Sequence, residues 1–304
     1  MPLTELVHYF NKRQRLARPG YDEEGFEIVD GRVRIGFAGR VLGTLFQPVM
    51  APDGLGVIGH EAQLQVLGDD AGRVPAQAIF LEARDDAELV HLDRRVRTLH
   101  ALNFLLEREQ HGGFLSLNVH PQLIRSVPDH HGHVFEGVLA RCGLTPDRIV
   151  LELADDGFGE VSRLAVAIAE YRERGYRVAI DNFGRHSADL DRLEALAPDI
   201  VKLDRCLIGH FGHLSLAKRV MTELAAEARR LGLQLGIQCI ENPLQLQVAR
   251  EAGADWLQGH LLGRPAEAAD DLAAYLAARP EAADAAALHE RLAELRRDGA
   301  PRLH

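Results

Sequence analysis

Residues 180–204 read IDNFGRHSADLDRLEALAPDIVKLD, and this stretch decides the fold. It opens on the end of an apolar run, Val178-Ala179-Ile180, that breaks into Asp181-Asn182. It closes on a second run, Ile200-Val201, that breaks into Lys202 and Asp204. The segment between has the length and periodicity of a helix of about three turns. Two short buried strands joined by a helix, each delivering charged groups at its carboxyl end, describe a βαβ unit with a site above the strand ends.

Outward from this unit the pattern repeats. Strands are expected at LFQPVM (45–50), VIGHEAQLQV (57–66), FLSLNV (114–119), RIVLEL (148–153), YRVAI (176–180), DIVKL (199–203), LQLGIQ (233–238) and Asp255 to Leu257. Helices are expected at Asp85 to Arg108, Val134 to Arg141, Val161 to Glu173, after Asp189, Ser215 to Arg230, after Pro243, and Ala266 to Ala277. The turn sequence Pro52-Asp53-Gly54 makes the first two strands antiparallel neighbours. This alternation favours a (β/α)8 barrel of TIM type, begun by a hairpin, over an open doubly wound sheet. No G-x-G-x-x-G opens a helix after an early strand, so a dinucleotide-binding fold lacks its fingerprint.

Residues 1–40 are expected to form an extension, an amphipathic helix with Leu3, Leu6, Val7 and Phe10 on one face followed by the hairpin FEIVDGRVRIGF. It would pack on the barrel or contact another chain. Residues 41–280 are then the barrel, and 281–304 a terminal helix over Ala282 to Arg297, a cap or an oligomer contact. A net charge of −10 and a pI near 5.8 argue against a nucleic-acid polymer as partner. Neither a signal peptide nor a membrane-length apolar run is present, so a cytoplasmic place is expected. Cys142, Cys206 and Cys239 read as buried free thiols, and His130, His131 and His133 as a solvated loop rather than a metal site.

In such a barrel chemistry sits at the carboxyl ends of the strands. The residues ending the apolar runs are Glu61, Asn118, Glu152, Asp181 with Asn182, Lys202 with Asp204, Gln238 with Glu241, and Gln258. Singly, each reads as a solvated strand end or a local ion pair. Together, converging carboxylate and amide oxygens suit a hard divalent cation such as Mg²⁺ or Mn²⁺. A lysine among them suits a metal-bound water used for hydrolysis, with a phosphate ester as substrate.

Six ordered blocks carry a resemblance: FQPVMAPDGLGVIGHEAQL (46–64), LNVHPQLI (117–124), VLELAD (150–155), AIDNFG (179–184), IVKLD (200–204) and CIENPLQLQVAREAGADWLQGHLLGRP (239–265). In order and spacing they resemble the EAL domain, the cyclic di-GMP phosphodiesterase family. The resemblance implies a barrel with an irregular first strand and a dinucleotide across its mouth. It further implies two Mg²⁺ or Mn²⁺ ions that activate a water, and cleavage to linear pGpG. It implies metal ligands at Glu61, Asn118, Glu152 and Asp181, with Lys202 positioning or deprotonating the water. Glu241 matches the last carboxylate of E-G-V-E, Asp204 the aspartate after the lysine, Gln258 a metal-shell amide and Gln47 a base contact, with Pro265 also on the ligand side.

The chain departs from that pattern at particular residues. E-A-L is Glu61-Ala62-Gln63, and the paired aspartates of D-D-F-G are Asp181-Asn182. The first glutamate of E-G-V-E is Gln238, and the arginine of E-A-L-x-R, which meets a ligand phosphate, is Gln65. Two divalent ions ~3.5–4 Å apart repel by roughly 18 kcal/mol at an effective dielectric of about 20, a Coulomb figure that ligand carboxylates must offset. Losing two carboxylates weakens the second ion more than the first, so at most one well-bound ion is expected. The loop after the aspartates is Arg185-His186-Ser187-Ala188-Asp189, with Arg185 expected to face solvent. These changes favour a degenerate member, a catalytically silent regulator acting through a protein partner, bound cyclic di-GMP or both, as a monomer or homodimer. The alternative is a working phosphodiesterase, motivated by the surviving ligands and Lys202. An unrelated barrel metal enzyme carries little weight beside the ordered blocks. With no cyclase or sensor domain within the chain, an input signal would enter through the extension, the final helix or a partner.

Overall fold

The computed structural model describes residues 1–17, 25–54, 56–68, 75–107, 113–127, 130–154, 160–205, 207 and 214–267. The expected helix Ala282 to Arg297, nearly all of that at Ala266 to Ala277, and Cys206 lie outside these residues.

Helix α1 (Leu3–Ala17) precedes a hairpin of β1 (Phe26–Val29) and β2 (Arg32–Phe37), followed by the long strands β3 (Arg40–Met50) and β4 (Val57–Leu67). The remaining units are α2 (Asp86–Glu107), β5 (Phe114–Val119), α3 (Pro121–Ser126), α4 (His133–Cys142), β6 (Ile149–Ala154), α5 (Val161–Glu173) and β7 (Arg177–Phe183). They continue with α6 (Leu190–Leu196), β8 (Ile200–Leu203), α7 (Leu214–Arg230), β9 (Gln234–Ile237), α8 (Pro243–Ala252) and β10 (Trp256–Leu257). The sheet runs β3-β10-β9-β8-β7-β6-β5-β4 and closes through β3–β4, giving the eight-stranded barrel that the sequence predicts. β3 is antiparallel to both its neighbours, while β4 to β10 run parallel. The β1–β2 hairpin adds to β3, and Val33 and Ile35 are buried against the body. Among the described residues no helix is long and apolar enough to cross a membrane.

Strand period explains the barrel's interior. Side chains two apart share a face, so a strand can contribute one residue to a lower layer and another to the layer above. The lower layer is an apolar plug of Val49, Phe114, Val150, Ala179, Ile200 and Trp256. Phe114 and Trp256 stack with centroids 4.4 Å apart, and Arg177 lies 5.0 Å over the Trp256 ring. Two residues further along the same strands come Ser116, Glu152, Asp181 and Lys202. The opposite faces, including Leu115, Leu151, Val178, Val201 and Leu235, join the main core. An apolar floor thus lies directly beneath a charged upper layer.

A polar seam binds the hairpin to α2. Asn103 Oδ1 accepts from Val33 N at 2.8 Å while its Nδ2 donates to Val33 O and to Thr44 Oγ1, and Thr44 Oγ1 lies 2.8 Å from His100 Nδ1. Burial pushes the His100 imidazole down to about 3. The unfolded chain takes up this proton near pH 6.5 and the folded chain does not, so His100 stabilises the fold less as pH falls through that value. Between pH 7 and pH 5 this one group removes about 2 kcal/mol. Urea titrations of wild type and His100→Gln at both pH values test this; equal pH dependence in the two proteins would refute it.

Candidate functional site

Neighbouring strands bring the strand-end residues into one network. In the register of the parallel strands Glu61 pairs Ser116, Asn118 pairs Glu152, Ala154 pairs Asp181 and Lys202 pairs Gly236. A Cβ at Gly236 would lie 3.1 Å from Lys202 Cγ, so this glycine leaves the room through which the lysine crosses the barrel.

Lys202 Nζ is the centre. It donates to both oxygens of Glu152 at 2.7 Å and to Glu61 Oε2 at 3.1 Å, with Asp181 Oδ1 at 3.9 Å. Burial would lower the ammonium, but Glu152, Glu61 and Asp181 outweigh it and hold the group charged. Burial, together with the neighbouring Glu61 and Asp181, pushes the Glu152 carboxyl up against the pull of Lys202. For Glu61 burial also raises, yet Lys202 and the amides of Gln258 and Asn118 prevail and leave it below the usual range.

The remaining acceptor oxygens are met by the chain's own donors. Glu152 Oε1 accepts from Ser116 Oγ, and Glu61 accepts from Gln258 Nε2 at 2.8 Å and Asn118 Nδ2 at 3.3 Å. Asp181 Oδ1 accepts from Gln238 Nε2 at 2.7 Å and Oδ2 from Asn182 Nδ2 at 2.8 Å. Arg185, expected to face solvent, is half exposed but turns its guanidinium inward. Its Nε donates to Asp204 Oδ2 at 3.0 Å and its Nη2 to Asn182 Oδ1 at 3.2 Å. Asn182 makes this turn at φ 58°, where β7 slips register against β8, a conformation that asparagine tolerates better than most residues.

A family model described as EAL domain matches residues 31–265. The chain belongs to the EAL domain family. It is 28% identical over 227 residues to the uncharacterized EAL-domain containing protein YkuI of Bacillus subtilis, across 73% of this chain and 54% of YkuI. It is 26% identical over 267 residues to the cyclic di-GMP phosphodiesterase RocR of Pseudomonas aeruginosa, across 86% of this chain and 66% of RocR. The crystal structure of YkuI with c-di-GMP and calcium superposes with a TM-score of 0.62 at 27% identity, over 74% of this chain and 56% of that one. The PaMucR phosphodiesterase in its c-di-GMP complex shares the fold, with a TM-score of 0.64 at 23% identity over 88% of this chain and 99% of that one. The chain spans about half the length of YkuI.

Within this EAL barrel the sequence-predicted residues divide into two groups. Glu61, Asn118, Glu152, Asp181, Asn182, Lys202, Asp204, Gln238 and Gln258 form the hydrogen-bonded network above. Gln47 joins it from β3, its Oε1 accepting from Gln63 Nε2 at 2.9 Å and its Nε2 donating to Gly263 O at 3.1 Å. That amide is engaged within the protein. Glu241 is exposed and bonds through its backbone N–H to Gln245 Oε1, part of the capping of α8. Pro265 sits beside the bridge that ties Ala266 to Phe46, and Gln65 lies further up β4.

Sequence reasoning missed Ser116 and Gly236, although each shares the strand face of a residue singled out, Asn118 and Gln238. Cys239, expected to be buried, is exposed at the site at φ 60°. His131, expected in a solvated loop, is buried against Tyr171, and its backbone N–H donates to Glu170 Oε2 at 2.8 Å.

The donor set can be tested against the ions that the family implies. Among the described residues no three carboxylate, imidazole or thiol groups stand ready around one point to hold a metal ion. Around Glu61, Glu152 and Asp181 that point is filled by Lys202 Nζ, which a divalent ion would have to displace. The oxygens there are of the right hard type for one ion. The neighbouring position, lined by Asn182, Gln238 and Asp204, has one carboxylate, already paired with Arg185. It does not fit a second ion.

Proposed function

We propose that the chain is a cyclic di-GMP signalling protein of the EAL family that binds the dinucleotide without hydrolysing it and passes the bound state to a protein partner. The observation that carries this reading is Arg185, whose guanidinium is bonded to Asp204 and Asn182 where the two-ion pattern needs a cation coordinated by carboxylates. Charge arithmetic supports it. Glu61, Glu152, Asp181 and Asp204 bring at most four negative charges, and with Lys202 displaced Arg185 still offsets one of them. The remainder, −3 at most, falls short of the charge of an ion pair.

Glu61, Asn118, Glu152 and Asp181 would hold that one Mg²⁺ or Mn²⁺, which supplies Lewis acidity toward a phosphodiester oxygen. Lys202, displaced from that centre, would then be free to meet the ligand, and Ser116 would keep Glu152 in place. Asp204 and Asn182 remain closed by Arg185, so the group that would stabilise the leaving oxygen is absent from this reading.

The test is direct. Purified protein incubated overnight with cyclic di-GMP and Mn²⁺ is expected to return the dinucleotide intact while calorimetry detects its binding. Conversion to pGpG would overturn the silent reading and favour the phosphodiesterase.

A further inference from the structure

The wall above the barrel mouth holds an arginine outside the carboxylate network. β2 pairs β3 antiparallel with Ile35 opposite Leu42, so Arg34 comes opposite Gly43, and Gly43 pairs Gln65 of β4. Residues two apart in a strand share a face, so Gln65 lies on the face of Gln63 and Glu61. That face carries the amide contacts into the site, Gln63 to Gln47 and Gln258 to Glu61. From Glu61 to Gln65 is about 13 Å along the strand, within the span of a cyclic dinucleotide seated on the carboxylates.

Arg34 is built into this wall. It is only 8% exposed, and its Nη2 donates to Glu267 Oε2 at 2.9 Å. Its Nη1 is buried with no hydrogen-bond partner among the described residues, and so is Gln65 Oε1. The two atoms converge over Gly43, where a Cβ would lie 2.4 Å from Arg34 Nη1 and 3.0 Å from Gln65 Oε1. The missing side chain at Gly43 is what lets the guanidinium cross β3. Glu267 arrives on the segment that the Ala266–Phe46 bridge ties to the wall. Its side chain is 36% exposed, so this carboxylate forms the solvent-facing side of the cluster.

Nη1 is enclosed by the wall, but Nη2 is held by a carboxylate on the solvent-facing side and can exchange that acceptor for another oxygen. We propose that Arg34 is a ligand-recognising residue of this barrel: its Nη2 binds an acceptor oxygen of cyclic di-GMP, and Glu267 occupies that nitrogen in the ligand-free protein. The inference rests on the cyclic di-GMP reading above. The acceptor is a phosphodiester oxygen or guanine O6, and Glu267, as a carboxylate, competes with either. Arg34 comes from a strand outside the motif that would have supplied an arginine at position 65.

Calorimetric titration of the full chain, Glu267→Gln, Arg34→Ala and the double variant with cyclic di-GMP tests this, with thermal melts confirming that each is folded. Glu267→Gln keeps Arg34 in place and is expected to bind several-fold more tightly. Arg34→Ala is expected to bind at least about tenfold more weakly, and to abolish the gain from Glu267→Gln in the double variant. Cyclic di-AMP distinguishes the acceptors, since it has the phosphodiesters without O6. An equal Arg34→Ala loss for both dinucleotides assigns the phosphodiester, and a loss confined to cyclic di-GMP assigns O6. Wild-type binding that neither substitution changes would overturn the role of Arg34 while leaving the functional reading intact. No binding by any of the four proteins would overturn both. Formation of pGpG with the Arg34→Ala penalty in KM would overturn only the silent reading.

Discussion

Lys202→Met is expected to destabilise the fold by about 3 to 5 kcal/mol when divalent ions are absent, because it leaves buried carboxylates without their counter-charge. Lys202 and Glu152 are 4% and 1% exposed at the side chain, and Glu61 and Asp181 only 12% and 14%, so water replaces little of the lost interaction. A loss of that size lowers Tm by roughly 10 °C in a chain of this length. Millimolar Mn²⁺ or Mg²⁺ should then recover most of the loss. The centre of the oxygen set is vacated by the substitution, and an ion that binds only the native state stabilises it by mass action. Wild type, whose ammonium already fills that centre, should gain much less from the same addition. Differential scanning fluorimetry with EDTA and with Mn²⁺ reads both effects. If Lys202→Met melts with wild type in EDTA, the ammonium is not the internal counter-ion argued here.

The second large effect concerns the closed half of the site. Asn182→Asp with Gln238→Glu returns two carboxylates around Asp181 and Asp204, and Arg185→Ala removes the guanidinium bonded there. Asn182 already sits at φ 58°, a conformation aspartate also adopts, so the substitution needs no backbone change. The triple variant is expected to bind two Mn²⁺ ions by calorimetry where wild type binds at most one. It should produce pGpG on the order of a hundredfold or more faster than the carboxylate pair alone, the scale on which one preorganised electrostatic group acts. Without metal the triple variant should melt below wild type, since the carboxylate introduced at position 238 would then face Asp181 directly. A metal stoichiometry of one in the triple variant would show that Arg185 is not what excludes the second ion.

Much of the site was legible because strand period and barrel topology both convert spacing into place. Glu61, Glu152, Asp181 and Lys202 each end or nearly end an apolar run, and a parallel barrel gathers such ends at one face. Ser116 and Gly236 follow from the same period and were there to be read, two positions before Asn118 and Gln238. Helix limits came close because their signals are local. α5 runs Val161–Glu173 as expected, and α8 begins where Asn242 and Gln245 form a capping box. The short α3 was missed, its N-terminus marked only by His120 accepting from Gln122 N and by Pro121.

The sequence by itself determined the closed eight-stranded barrel, the family, and the amides Asn182, Gln238 and Gln65 at positions where the resemblance implies charged residues. Only the tertiary structure decided what stands beside those amides. Arg185, just past β7, reaches Asp204 at the end of the neighbouring β8, and Arg34 of β2 crosses β3 at Gly43 to come beside Gln65. The physical reason is that periodicity and run length report which face a backbone position takes, whereas a long arginine or lysine side chain spans several ångströms and chooses among acceptors that only folding brings near. Asp181-Asn182 and Lys202 were visible as a strand-end pair and an amine. That the amine is the counter-ion of the buried Glu152 and of the partly buried Glu61 and Asp181, and the asparagine a bridge to an arginine, came from the packed barrel.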